Sequence, residues 1–354
     1  MAPTAISPVR TDHDVSLKLA QASGYTKDLP TTTMSPAPYP IPLLRSALTS
    51  ESTPLAKRFR VLFSLKHHAS FKPPNSTTIP AIEAIAAAFS SPSALLKHEL
   101  AYCLGQSANS AAAPFLRNVL SDRQEDDMCR HEAAEALGAL GDQSSLDLLE
   151  QFWKEETQPV VVRETCELAI DRIKWSHSTA SKAEKLKNSD FASIDPAPPA
   201  SQHAHAYSID ELQSILLDTK LSLFERYRAM FALRDLASPP NLPTAISAVN
   251  ALAKGFKDPS ALFRHEIAFV FGQLSHRASI PALIEVLENL KEESMVRHEA
   301  AEALGSLGDE EGVGEVLRGF LDDEAQVVRE SVVVALDMAE YERSGQAEYA
   351  GLAE

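Results

Sequence analysis

The sequence predicts an all-α protein of eight helical hairpins in two pseudo-symmetric four-repeat halves, an α-solenoid. Three observations lead there. Ala and Leu dominate the 354 residues while aromatics make up 6%, and runs such as AIEAIAAAF and HEAAEALGAL favour packed helices over strands. A phrase opening on His-Glu occurs four times, as KHELAYCLGQ, RHEAAEALGALGD, RHEIAFVFGQL and RHEAAEALGSLGD, with the dipeptides separated by 33, 134 and 33 residues. The register continues outward without histidine: Phe59 and Glu164 occupy the His column on either side of the first pair, Tyr227 and Glu330 on either side of the second. Within each half the steps are 38 or 39 residues for the first and 32 or 33 for the rest, a period suited to stacked helical hairpins.

Residues 1–40, ending in TTTMSPAPYP, read as an irregular N-terminal segment, and 41–174 as the first half. Residues 175–208, where Ser, Ala, Pro and Lys displace the helical pattern, read as a variable, mobile linker, 209–341 as the second half and 342–354 as a tail. Each unit has a first helix (PAIEAIAAAF, PALIEVLENL, VGEVLRGFLDD), a short polar turn, and a second helix carrying the phrase. Ser91-Pro92 and Asp258-Pro259 place a capping residue before a proline suited to a first helical turn, and Gly105, Gly138, Gly272 and Gly305 weaken or end the helix. Ala133, Leu137 and Leu140 form one buried stripe at i, i+4, i+7. The outer units, lacking His-Glu, are candidate caps.

A formal charge of −16 without clustered Lys or Arg argues against nucleic acid and suits a basic protein partner. Cys103, Cys129 and Cys166 are too few for a disulfide framework or zinc knuckle, which points to a reducing compartment. The N-terminus has no apolar signal region, and no stretch approaches the roughly 20 apolar residues of a membrane span. The cytosol is the default address, with the nucleus left open. No phosphate-binding glycine loop or nucleophile elbow is present.

The chemistry lies in the four dipeptides. Arg130, Arg264 and Arg297 precede three of them, but Arg163 and Arg329 hold the same column in outer units without His, so the Arg is scaffold. The His respects a boundary that scaffold has no reason to respect: it occurs only in the two central units of each half. Equivalent helices of adjacent hairpins lie roughly 8–10 Å apart, so His98, Glu99, His131 and Glu132 can converge on an ion, as can His265, Glu266, His298 and Glu299. Two imidazoles and a carboxylate per site make the facial triad of non-haem iron, and four carboxylates balance two divalent ions. Zinc or manganese hydrolase or lyase chemistry, and a non-enzymatic repeat scaffold with a structural metal, stay open on ligand type alone. Glu135 and Glu302, four residues after a His, are candidates to accept a hydrogen bond from an imidazole, although Tyr102 and Phe269 fill that position in the other two units. His67, His68, His177, His203 and His205 read as solvent-exposed, His276 as a turn residue and Cys129 as a small apolar helix residue.

With four His-Glu motifs in eight HEAT-like hairpins split four and four by a linker, the sequence resembles the deoxyhypusine hydroxylases from about Phe59 to Met338, linker excepted. The wording ERYRAMFALR and RHEAAEALG is close to that of the family. The resemblance implies a monooxygenase with two iron(II) ions per chain that uses dioxygen and an unidentified reductant. Its substrate would be the deoxyhypusine side chain of translation initiation factor 5A, converted to hypusine. It further implies His98, His131 and Glu132 on one iron and His265, His298 and Glu299 on the other. Glu99 and Glu266 are the ambiguous pair, either metal ligands or catalytic-site carboxylates that bind the substrate amines.

Overall fold

The computed structural model describes residues 39–344 apart from 180, 182–183, 185–190 and 202–206. Sixteen α-helices and no strand occur among the described residues, and they pair into eight hairpins. In the first half these are α1 (Ile41–Thr49) with α2 (Leu55–Ala69), α3 (Thr78–Ala86) with α4 (Ala94–Gln106), α5 (Ala113–Ser121) with α6 (Asp127–Leu140), and α7 (Leu146–Lys154) with α8 (Val160–Ser176). In the second they are α9 (Ile209–Leu217) with α10 (Leu223–Ala237), α11 (Ala245–Ala253) with α12 (Ala261–Leu274), α13 (Ile280–Glu288) with α14 (Ser294–Gly305), and α15 (Val313–Arg318) with α16 (Gln326–Ser344). None of these helices is long and apolar enough to cross a membrane.

Even-numbered helices carry the repeated phrase and line the inside. Each packs on the next, and the series closes, because α8 packs on α10 and α16 on α2. The outer units therefore join the halves as well as ending them. Glu330, in the His column of the last unit, accepts the Ser93 hydroxyl at 2.6 Å, and Glu164 accepts that of Ser260 at 2.7 Å, so each seam is tied by a contact to the opposite half.

Close approach of the inner helices depends on small residues. A Cβ on Gly105 would stand 2.8 Å from Ala136, one on Gly138 3.0 Å from Ala169 and one on Gly305 2.7 Å from Ala335. Gly105, Gly138 and Gly272 lie within their helices rather than ending them, so close approach, not helix termination, explains the repeated glycine. Among the described glycines only Gly141, at φ +65°, closes a helix in the left-handed conformation expected of glycine. The proline expectation also needs correction: Ser93 and Ser260 cap α4 and α12 by accepting from Leu96 and Phe263, so Pro92 and Pro259 precede the cap. Of the predicted stripe, Ala133 and Leu137 are fully buried and Leu140 half-buried.

The arginine column is scaffold in a definable way. Nε of Arg58, Arg130, Arg163, Arg226 and Arg297 each donates to the carbonyl ten residues upstream, at Leu48, Leu120, Trp153, Leu216 and Leu287. That bond satisfies a carbonyl at the C-terminus of the outer helix and ties the two helices of a hairpin together.

Residues 191–201 of the linker are anchored on the inner helices. Ala197 is fully buried, and residues 193–195 lie across the C-terminal ends of α4 and α12. Gln106 exchanges two hydrogen bonds with the Ile194 backbone, at 2.7 and 3.1 Å, and its counterpart Gln273 donates to Ser193 at 2.8 Å. Asp195 pairs with Arg234 at 2.9 Å, and its carbonyl accepts from Arg172. The strap is irregular, as expected, with no helix over residues 191–201, and these polar anchors offset part of the entropy lost in holding it against the inner helices.

Candidate metal centre

Each of the four histidines is the fifth residue of its helix, α4, α6, α12 or α14, so the shared register brings all four to one level inside the ring. His98 and His131 have ring centroids 5.4 Å apart, and His265 and His298 5.3 Å. Distances across the halves match: 5.4 Å for His98 to His298 and for His131 to His265, and 5.7 Å for His98 to His265. The half-sites form one cluster. Its pseudo-twofold symmetry shows in two carboxylate contacts, His98 Nε2 to Glu132 at 3.2 Å and His265 Nε2 to Glu299 at 3.3 Å.

All eight residues of the dipeptides are buried, with Glu99 the most exposed at 7%. Burial without a partner is costly for imidazole and carboxylate alike. Yet among the described residues every ring nitrogen of the four histidines except Nδ1 of His298 lacks a hydrogen-bond partner, as does Oε1 of Glu266. Burial pushes Glu99 and Glu132 up to about 8 and Glu266 and Glu299 well above the usual carboxylate range, with neighbouring carboxylates adding to it. It holds His131 and His298 well below their usual range and His265 down to about 3, with neighbouring histidines adding to it. Neutral imidazoles with free lone pairs beside carboxylates short of positive charge fit a bound divalent cation, which would complete the lone pairs and restore charge balance. Three sets have ligand atoms all within 4.8 Å of one another: His98, His131 and Glu132; His98, His265 and His298; and His298, Glu299 and Glu302.

The surroundings separate residues that sequence treated alike. Glu302 Oε1 faces His298 Nδ1 at 3.6 Å and accepts the Ser331 hydroxyl at 3.0 Å, as a support for a ligand imidazole would. Glu135, its counterpart, makes no such contact among the described residues. One turn beyond the cluster, Tyr102 and Phe269 meet edge to face at 5.9 Å, and the strap lies below them. Sequence reasoning missed the strap and Ser331, although the repeated Gln of KHELAYCLGQ and RHEIAFVFGQ was a readable signal for the first.

The other described histidines lie apart from the cluster. His68 is buried rather than exposed, bonding Thr77 at 3.1 Å. His67 packs on Phe71, His177 is exposed, and His276 accepts the Ala278 amide at the start of a turn. His203 and His205 lie outside the described residues. Cys129 is a buried helix residue, as expected, with its thiol against the Ala94 carbonyl.

A family model described as HEAT repeats matches residues 82–170 and 249–337. The chain is 68% identical over 310 residues to the deoxyhypusine hydroxylase of Phaeosphaeria nodorum, covering 88% of this chain and 94% of that one. It is 67% identical to that of Neurospora crassa, covering 87% and 95%. The structure of human deoxyhypusine hydroxylase in complex with glycerol superposes with a TM-score of 0.75 at 42% identity, covering 85% of this chain and 96% of that one.

Proposed function

The chain belongs to the deoxyhypusine hydroxylase family, and on that premise we propose that its eight clustered His and Glu residues hold two iron(II) ions for dioxygen-dependent hydroxylation. The enzyme is a monooxygenase acting on a deoxyhypusine-modified protein. In our reading that protein is translation initiation factor 5A, the product is hypusine, electrons come from an external reductant, and the reaction runs in the cytoplasm. His98, His131 and Glu132 serve one ion and His265, His298 and Glu299 the other.

Bound iron supplies the redox chemistry that activates dioxygen for attack on an unactivated C–H bond. The chain does the rest. The inner helices fix the four imidazoles, and burial keeps those of His131, His265 and His298 neutral, with lone pairs available to metal. Glu302 and Ser331 orient His298, while the Tyr102–Phe269 pair and the strap keep water from the C-terminal side of the cluster. Glu99 and Glu266 stand where a carboxylate can serve a metal or hold a cationic amine. The overall charge of −16 favours approach of a cationic side chain.

The observation that carries this reading is the set of buried imidazole nitrogens without hydrogen-bond partners. Metal analysis of purified protein tests it together with turnover on deoxyhypusine-bearing factor. About two irons per chain and an oxygen-sensitive absorption band are expected; stoichiometric zinc with no hydroxylation would overturn it.

A further inference from the structure

Each half gives the site the same carboxylates but leaves them differently engaged. On the α4/α14 side, Glu99 accepts the Cys103 thiol at 3.9 Å and feels the positive charge of Lys66, whose ammonium sits 5.1 Å from the Tyr102 ring centroid. Glu302, one turn after His298, whose ring centroid lies 5.4 Å from that of His98, is bound to Ser331 and faces His298. Both carboxylates there have work to do.

On the α6/α12 side the counterparts of those partners are absent or committed. Val270 replaces Cys103, and Thr165, at the place of Ser331, donates its hydroxyl to the Val161 carbonyl at 2.8 Å. Arg234, at the place of Lys66, is fixed by Asp195, Asp235 and Gln273. Tyr227, beside this pair, donates its hydroxyl to the Leu262 carbonyl. Glu266, only 2% exposed, keeps Oε1 without a partner. Glu135 stands one turn after His131, whose ring centroid lies 5.4 Å from that of His265, the residue before Glu266; it is half-buried and makes no hydrogen bond among the described residues.

We propose that Glu135 and Glu266 together bind an ammonium group of the deoxyhypusine side chain, making Glu135 a substrate-binding residue and fixing the direction in which that chain lies across the site. The proposal rests on the hydroxylase reading and deepens it. An ammonium carries several donors on a flexible stem and satisfies two adjacent carboxylates with charge-assisted hydrogen bonds, which is what this side lacks. Glu302, already engaged, plays no such part, so two residues in the same sequence column have separate roles.

The test uses the full-length, iron-loaded protein, measuring iron content, steady-state kinetics and calorimetric binding of deoxyhypusine-bearing factor. Glu135→Gln should weaken binding and raise KM by about tenfold or more, raise KM by a larger factor than it lowers kcat, and leave iron content at the wild-type level. Glu302→Gln should lower iron content and leave KM nearly unchanged. Glu135→Asp, which keeps the charge, should fall between wild type and Glu135→Gln; its binding constant carries the same test should Glu135→Gln unfold by circular dichroism. Wild-type binding and KM in Glu135→Gln, or a larger KM rise in Glu302→Gln, would overturn the proposal. Should the wild type not act on the deoxyhypusine factor, the hydroxylase reading falls, and 1,4-diaminobutane then judges the ammonium site. Binding to wild type that is lost in Glu135→Gln supports it, and equal binding to both overturns it.

Discussion

The two halves share a scaffold almost residue for residue, yet what surrounds the ligand pairs differs. In the N-terminal half Tyr102, Cys103 and Lys66 stand where the C-terminal half has Phe269, Val270 and Arg234. Lys66 lies over Tyr102, whereas Arg234 is drawn away to Asp195 of the strap. Arg130 of α6 ends on the neutral Gln158 and Arg297 of α14 on the charged Asp323. Duplication is kept where a helix must meet its neighbour and where the imidazoles must converge. On our proposal it is broken where an extended, two-ended side chain has to be told which way to lie.

The sharpest way to break the comparison is to remove one imidazole at a time. His131→Ala and His298→Ala should each deplete metal and lower turnover by about a thousandfold or more, measured by elemental analysis and product formation. If either keeps full metal and activity, the halves do not contribute equally. Next in size are the glycines. Gly105→Ala and Gly305→Ala place a methyl 2.8 and 2.7 Å from an alanine of the next helix and should destabilise by about 1–3 kcal/mol in denaturant unfolding. Gly272→Ala, whose methyl meets Ala303 at 3.4 Å, should be neutral or stabilise by up to about 1 kcal/mol. Equal losses at Gly105 and Gly272 would show that the halves pack alike there.

A smaller effect is expected of Ser331→Ala, which removes the hydroxyl that holds Glu302 and should weaken metal retention about tenfold under chelator challenge. Thr165→Ala, its counterpart, should leave retention unchanged, since that hydroxyl serves Val161. The least effect concerns acid. The Arg297 guanidinium holds Asp323 below the usual carboxylate range, so its contribution is fully present above about pH 4 and is lost as pH falls through the folded-state value. Asp323→Asn should flatten the acid limb of a stability-against-pH curve. Gln158→Ala, at Arg130, should leave the slope of that limb unchanged.

Much of this was legible before any coordinates. The helical hairpins follow from the period, and the singling out of His98, His131, His265 and His298, which do meet in one cluster, from their contrast with the Phe59, Glu164, Tyr227 and Glu330 that fill their column elsewhere. Closure was not legible, because Glu330 meets Ser93 across 237 residues and nothing local marks either as a partner. Gly105, Gly138 and Gly272 were misread, since a glycine near a helix end suggests a stop unless the alanine facing it is known. The strap was hidden by its composition: Ser, Pro and Ala read as coil, while Gln106, Gln273, Arg172 and Arg234, which order it, all lie on other elements. His68 was misjudged for the same reason, its partner Thr77 being a turn residue with no pattern of its own.

The contact of α2 with α16 has a consequence for how the chain could be strung. A circle of repeats has no obligatory beginning. A permuted chain opened between the strap and α9 and rejoined from α16 to α1 would give every inner helix the neighbours it has now, and the strap would stay attached to α8. The ligands would arrive in a new order along the polypeptide and meet in the same place, so the centre belongs to the closed circuit of helices rather than to either terminus.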